Sequence, residues 1–338
     1  MTRTAIVILN FNGKAWLKKF LPSVIQYSSL AKIIVADNNS SDGSVETIID
    51  EFPMVEIIRI SDNLGFSGGY NYALNLVDAS YYVLLNSDIE VTESWLEPMI
   101  GLLEQDSSIA AVQPKILSYN DKESFEYAGA AGGFVDALGY PFCRGRIFNS
   151  IEKDEGQYND QVPIFWATGA CLVVRSELYK KMGGLDEDFF AHMEEIDLCW
   201  KLNRAGYKIY YQGQSKIYHV GGGTLDVSNP KKTYLNFRNG LSLVFRHFST
   251  AELIYKLPIR ILLDWVAIIK FLADGTSPDA YAVIRAHVDF VRKFRGELIK
   301  RKTLKKKLPG FRVTWLYPRL IVFDFYLRGK RFFNQIHF

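Results

Sequence analysis

Short apolar runs alternate with stretches of helical period through the first third of the chain. Ala5–Leu9 is wholly apolar and runs into Asn10-Phe11-Asn12-Gly13, the pattern of a buried strand closed by a turn. Lys14–Tyr27 follows with Trp16, Leu17, Phe20 and Leu21 on one side, a helical spacing. Lys32–Ala36, Val55–Ile60, Tyr81–Leu85 and Ala110–Leu117 repeat the strand pattern. A short helix to Glu51, one ending near Val77, and Glu93–Glu104 fill the intervals. Such alternation predicts an α/β fold with a doubly wound, mainly parallel sheet. Residues 118–162 lose periodicity and are rich in Gly, Asn and charge, which predicts an irregular insertion or lid. Pro163–Arg175 reads as a further strand, and Ser176 caps the short helix after it. Met193–Ala205 reads as a helix ended by Gly206. Short strands near Tyr207–Tyr211 and Ser215–His219 lead to Gly221-Gly222-Gly223 and a helix over Pro230–Phe248. Beyond Ala251 the pattern becomes apolar helices broken by basic clusters, so the chain divides into residues 1–249 and 250–338.

Charge sharpens that division. Residues 1–249 hold 22 Lys+Arg and 30 Asp+Glu, a balance of −8; residues 250–338 hold 18 and 7, a balance of +11, and the two sum to +3. An acidic body with a basic tail points to an anionic partner for the tail. Arg292–Lys307 alone holds nine Lys/Arg against Glu297, and Trp315, Tyr317, Phe323, Phe325, Tyr326, Phe332 and Phe333 follow, interleaved with basic residues. That mixture suits a lipid headgroup zone, and it equally suits packing on the rest of the chain or on a second copy. No nucleic-acid module is recognisable. The 48% hydrophobic and 23% charged composition excludes wholesale disorder, and three scattered cysteines exclude a disulfide framework or zinc site and fit a reducing compartment. Ala5–Leu9 is too short for a signal core, and Arg260, Asp264 and Lys270 interrupt Leu257–Ala273, so neither leader nor spanning helix is expected.

Ligands of doubly wound sheets lie beyond the carboxyl ends of the strands. The polar residues there are Asn10, Asn12, Asp37, Asn63, Asn86 and Asp88. Asp37 can accept hydrogen bonds from a base or a ribose, or open an Asx-turn. Asn63-Leu64-Gly65-Phe66-Ser67-Gly68-Gly69 lets backbone approach an anion at a helix start. It matches neither a dinucleotide fingerprint nor a Walker A loop, which weighs against a nucleotide-dependent oxidoreductase. Asn86-Ser87-Asp88 can hold Mg²⁺ or Mn²⁺ against a diphosphate, or simply make a turn. Residues 186–197 contain six carboxylates, among them Glu194, Glu195 and Asp197. Glu194 and Glu195 follow Phe189, Phe190 and Met193, where desolvation would raise a carboxyl towards a general base. His219 is a possible metal ligand or phosphate contact, or a structural histidine.

Taken together and in order, these stretches resemble the family-2 glycosyltransferases of the GT-A fold, and within them the bacterial rhamnosyltransferase-like branch. The matching residues are Val7-Ile8-Leu9-Asn10-Phe11-Asn12, Asp37 through Gly43, Asn63-x-Gly65-Phe66-Ser67-Gly68-Gly69-x-Asn71, Leu85-Asn86-Ser87-Asp88, Thr168-Gly169-Ala170, Gly183-Gly184-Leu185-Asp186-Glu187, Glu194 through Cys199, and His219-Val220-Gly221-Gly222-Gly223-Thr224. They span about residues 4–247 and leave the tail uncovered.

The resemblance implies a Rossmann-like GT-A sheet with a mostly helical basic C-terminal extension. It implies an inverting transferase that uses a nucleoside-diphosphate sugar, dTDP-rhamnose or a UDP-hexose, and a glycan or lipid-linked acceptor in cell-surface polysaccharide synthesis. By position, Asn10, Asn12, Asp37, Asn63, Gly65 and Arg238 would bind the donor. Asp88, Asn86 and His219 would stand at the metal, Mg²⁺ or Mn²⁺, with Asn replacing the family's first acid. Glu195 would be the base with Glu194 beside it, and Asp197 the alternative. A lipid-linked acceptor would place the protein at the cytoplasmic, inner face of the cell membrane as a peripheral protein. Self-association stays open, and so does a catalytically degenerate scaffold.

Overall fold

The computed structural model describes residues 2–221, 229–310 and 312–338. Gly222, Gly223 and Thr224 of the glycine-rich motif lie outside the described residues. The chain opens with β1 (Thr2–Asn10), α1 (Lys14–Tyr27), β2 (Lys32–Asp37), α2 (Ser44–Glu51), β3 (Glu56–Arg59), α3 (Gly65–Leu76), β4 (Ala79–Asn86), β5 (Ile89–Val91), α4 (Glu97–Gln105) and β6 (Ile109–Ser118). β3, β2, β1 and β4 lie side by side, all parallel. Helices cover both faces, so β1 and β4 read as unbroken apolar runs. Register then builds the ligand edge: Asn10 pairs with Asp37 across β1 and β2, and Leu9 pairs with Asn86 across β1 and β4.

The second half departs from the expected pattern in three ways. Residues 118–162 are not irregular throughout. They carry β7 (Gly133–Asp136), β8 (Pro141–Cys143), β9 (Arg146–Ile147) and β10 (Ser150–Ile151), strands of a smaller second sheet. The single strand expected over Pro163–Arg175 is two. β11 (Gln161–Ile164) lies on the sheet edge, and β12 (Cys171–Arg175) inserts antiparallel between β4 and β6. The sheet is therefore mixed. After α5 (Ser176–Met182) and α6 (Glu194–Arg204), the two short strands expected next are one strand, β13 (Lys208–His219), with a register shift between Gln212 and Lys216. β13 pairs with β5 so that His219 lies opposite Ile89, next to Asp88.

The C-terminal part is α7 (Pro230–His247), α8 (Thr250–Ala273), α9 (Ser277–Arg292), α10 (Phe294–Lys307), β14 (Leu316–Tyr317) and α11 (Ile321–Tyr326). A capping box between Ser249 and Glu252 starts α8. β14 completes the second sheet beside β7. Tyr317 and Phe325 are buried there, and the rings of Phe333 and Phe338 lie tilted against Phe134. Tyr317, Phe325 and Phe333 therefore cover apolar surface of the insertion instead of facing a headgroup layer, whereas Trp315, Phe323, Tyr326, Phe332 and Phe338 remain exposed. Among the described residues no helix is long and apolar enough to cross a membrane.

Candidate active site

The first cluster closes the ends of β1 and β2. Asn10 Nδ2 donates to Asp37 Oδ1 and to Ser40 Oγ, both at 3.1 Å. The Ser40 N–H donates to Asp37 Oδ2 (3.0 Å), so the Asx-turn is real and Asp37 is fixed by it. Asn12, in the left-handed region at φ 52°, accepts from the Ser41 N–H (2.8 Å). Asn38 adds a second layer, donating to Asn63 Oδ1 (3.0 Å) and to the Gly65 carbonyl (3.1 Å). Gly65 has φ +71°, and a Cβ there would meet the Phe190 ring at 2.6 Å.

The second cluster joins β4 to the end of β13. His219 Nε2 lies 3.1 Å from Asp88 Oδ1 and 3.4 Å from Asn86 Nδ2. On its other side His219 Nδ1 is 3.4 Å from Glu126 Oε1. Burial alone would lower the imidazole, but Glu126 and Asp88 outweigh it and raise it to about 10. Burial would likewise raise Asp88, yet the His219 contact holds it below the usual range. Among the described residues no group of three or more His, Cys, Asp and Glu is arranged to hold a metal ion. The donor chemistry fits one where the cation takes the place of the imidazole proton: an oxygen of Asp88 and a nitrogen of His219 converge, a carboxylate backs the imidazole, and Mg²⁺ or Mn²⁺ on a diphosphate takes only one or two protein ligands.

The third cluster is the turn from Asp186 into α6. Phe190, His192 and Met193 all have positive φ (63°, 67° and 75°), each costing about 1–3 kcal/mol. Such strain persists only where the surroundings over-determine it. Asn239 Nδ2 donates to the carbonyls of Phe189 (3.1 Å), Ala191 (2.9 Å) and His192 (2.7 Å). Arg238 Nη2 donates to those of Asp188 (2.8 Å) and Phe189 (3.0 Å). The structure thus places Arg238 on this loop, with Nη2 held by backbone and Nε donating to Asn239 Oδ1.

The loop delivers Glu194 and Glu195 to the first turn of α6. One oxygen of each, Oε2, is sealed from solvent and has no hydrogen-bond partner. Burial pushes Glu195 up to about 7 and, with Glu195 alongside, pushes Glu194 well up too. Asp197 differs: burial would raise it, but Lys201 (2.6 Å) and His247 (2.8 Å) hold it far below the carboxylate range. The segment Thr168–Ala170 links the last two clusters, since the Asn86 N–H donates to the Ala170 carbonyl (2.9 Å) and the Gly169 backbone contacts Glu195.

Sequence reasoning missed Glu126, which lies in the aperiodic insertion and reaches His219 only through tertiary structure. It took Asn239 only together with Arg238, as a contact near the leaving diphosphate, and the sequence carries no signal for its hold on the turn before α6.

The model of glycosyl transferase family 2 matches residues 5–183, more than half of the chain, and the chain belongs to that family. Among curated relatives, it is 24% identical over 233 residues to the N-acetylglucosaminyl-diphospho-decaprenol L-rhamnosyltransferase of Mycobacterium tuberculosis, covering 63% of this chain and 75% of the relative. It is 26% identical over 217 residues to the rhamnosyltransferase WbbL of Escherichia coli, covering 61% and 79%. In fold it is similar to GalNAc-T7, solved with UDP, GalNAc and Mn²⁺, at a TM-score of 0.57 and 16% identity over 74% of this chain and 49% of that one. It is also similar to the mannosyltransferase PcManGT of Pyrobaculum calidifontis, solved with GDP-Man and Mn²⁺, at 0.51 and 13% over 90% and 85%. The fold is therefore the GT-A core of a family-2 glycosyltransferase, extended by helices at its C-terminus.

Proposed function

We propose that the protein is an inverting transferase that moves a sugar from a nucleoside diphosphate to a glycan or lipid-linked acceptor in cell-surface polysaccharide synthesis. The observation that carries this reading is Glu195: a carboxyl with one oxygen sealed and unpartnered, pushed by burial to about 7 and tied through Gly169 and Ala170 to the Asn86–Asp88–His219 cluster. Names of relatives favour dTDP-rhamnose over a UDP-hexose as donor and a polyprenyl-diphosphate-linked sugar as acceptor.

Asn10, Asn12, Asp37, Asn63 and Gly65 would receive the nucleoside and its ribose. Glu195 would accept the proton of the acceptor hydroxyl as that oxygen bonds to the anomeric carbon, opposite the breaking bond to the diphosphate. Glu194 stands beside it, its own carboxyl pushed up by burial and by Glu195. Asp197 is held ionised by Lys201 and His247, which suits bracing of α6 better than proton transfer. Arg238 would act on the donor side indirectly, by fixing the Asp188–Phe189 turn. Asp88 and His219, with Asn86, would hold Mg²⁺ or Mn²⁺, which when bound supplies positive charge to the departing diphosphate. The two solved neighbours carry Mn²⁺, in keeping with that choice. A lipid-linked acceptor and the basic C-terminal part support a peripheral place at the inner face of the cell membrane. The test is a screen of nucleotide sugars for donor hydrolysis and nucleotide-dependent thermal stabilisation. Hydrolysis of a dTDP- or UDP-sugar, lost in Glu195→Gln, is expected; absence of both effects across the panel would overturn the reading.

A further inference from the structure

Helix α8 is built inside out. Three of its five charged residues, Lys256, Arg260 and Asp264, are buried, and they recur every four residues on the inward side. Each is satisfied there. Lys256 pairs with Glu252 (2.8 Å) and lies over the Phe248 ring. Arg260 pairs with Asp264 (3.1 Å) and lies over the Tyr140 ring. Asp264 also accepts from the Tyr140 hydroxyl (3.0 Å) and contacts His287 (3.2 Å). The outward side carries Ile254, Leu262, Trp265, Val266, Ile269 and Leu272, with Ile254 75%, Leu262 64% and Ile269 67% exposed. At about 100° per residue these six fall within an arc of about 120°, and no charged residue of the helix falls on that arc. An ordinary surface helix shows the opposite arrangement. α9 packs on α8 through Ile268, Ala280 and Val283 and has exposed apolar residues of its own in Tyr281 and Val291.

We infer that this outward face of α8 lies in the interfacial layer of an anionic lipid bilayer, with the helix axis along the membrane plane. This placement rests on the membrane-side reading of the preceding subsection and names the element that enters the lipid. Two observations select a bilayer over a second copy of the chain. Residues 250–338 carry 18 Lys+Arg against 7 Asp+Glu, so a twofold contact through this part would set +11 against +11, whereas anionic headgroups complement it. The face is also a long apolar stripe with Trp265 in it and Lys270 at its border, the arrangement of a helix lying in an interface. Of the three charges that interrupt Leu257–Ala273, Arg260 and Asp264 are turned inward and Lys270 stands at the border of the apolar stripe.

The full-length protein is sedimented with vesicles of phosphatidylglycerol and phosphatidylcholine, and with phosphatidylcholine alone. It is compared with Leu262→Asp/Ile269→Asp and with the control Leu30→Asp/Met54→Asp, which alters two exposed apolar residues remote in sequence from α8. All four sites are exposed, so folding is checked by unchanged thermal midpoints. Partitioning onto anionic vesicles is expected to fall at least about tenfold in the α8 variant and to stay unchanged in the control. Quenching of tryptophan fluorescence by brominated lipid is expected in the parent and is expected to drop in Trp265→Phe. If the α8 variant binds anionic vesicles like the parent, the α8 placement is wrong and the membrane reading survives on other residues. If the parent binds no vesicles, both fail. If light scattering shows a dimer that the α8 variant dissolves and vesicles do not compete with, the occupant is a second copy and the placement is overturned.

Discussion

Glu195→Gln separates the chemistry of this site from its energetics. In the folded chain burial pushes the carboxyl from 4.5 to about 7. A carboxyl raised on folding binds its proton more tightly in the native state, so stability is lost as pH climbs from about 4.5 through about 7. One pKa unit corresponds to about 1.4 kcal/mol, so the ionised carboxylate costs the folded chain about 3 kcal/mol near pH ~8 but only about 1 kcal/mol near pH ~5. Glutamine keeps the shape and removes that cost. Urea denaturation should therefore show the variant more stable than the parent by up to about 3 kcal/mol near pH ~8, with a gain several-fold smaller near pH ~5. Transfer should fall by a factor of ~10²–10⁴ while donor binding stays nearly intact. The parent's kcat/KM should rise with pH and level off above about 7, because the base must be ionised to accept a proton. A variant that turns over like the parent would remove Glu195 from the role of base. Equal stability of the two proteins at both pH values would show that the carboxyl is not desolvated, and the physical basis of the assignment would go with it.

Asn239→Ala removes the donors that hold the carbonyls of Phe189, Ala191 and His192, so the positive-φ turn before α6 should relax. kcat should fall about 10–100-fold with donor affinity little changed, and an equal loss in both would mean a general folding defect instead. Asp88→Ala should weaken nucleoside-diphosphate binding in titration calorimetry, and more so with Mn²⁺ than with chelator. Identical affinities of variant and parent in Mn²⁺ would contradict the role given to Asp88. Glu126→Gln leaves the imidazole of His219 without its rear carboxylate and should reduce Mn²⁺-dependent donor affinity by about 10-fold or more. An unchanged metal dependence would make that contact purely structural.

Much of the sheet was legible because parallel strands covered on both faces must be continuously apolar. Ala5–Leu9 and Tyr81–Leu85 announce β1 and β4 for that reason, and α1 has the bounds its periodicity predicts. The acids were legible as types at strand and helix ends. Legibility failed wherever tertiary structure, not local pattern, decides. β8 to β10 are two or three residues long and form only because neighbours pair with them, so residues 118–162 carry no period. The Gln212–Gly213–Gln214 stretch looks like a break between two strands, but the chain continues through it with shifted register. Burial of Tyr317 and Phe325 depends on apolar surface of the insertion that no local pattern reveals. The orientation of α8 is the sharpest case. Its composition is the same whichever way it turns, and only the partners of Arg260 and Asp264 decide which face meets solvent.

The proposed division near residue 250 marks a change of charge, and the contacts show that it does not isolate the catalytic machinery. α7 holds the strained turn through Arg238 and Asn239, and its neighbouring Phe237 packs with Ile268, Ala280 and Val283 of α8 and α9. Arg246 at the other end of α7 binds both Asp186 (2.7 Å) and Glu297 of α10 (2.5 Å). Lys300 of α10 reaches Asp186 (2.6 Å) and Asp188 (2.5 Å). The turn that presents Glu194 and Glu195 is thus braced by side chains from both sides of residue 250. Buried pairs of this kind are costly to break singly, because the remaining charge is left uncompensated. Removing the basic helices would take Glu297 from Arg246 and Lys300 from Asp186 and Asp188, leaving of these ion pairs only Arg246–Asp186 on the turn, so loss of activity in such a truncation would follow from the turn as well as from any lost attachment. Point changes on the outward arc of α8 leave every one of these contacts in place, and for that reason they, and not deletions, separate attachment from catalysis.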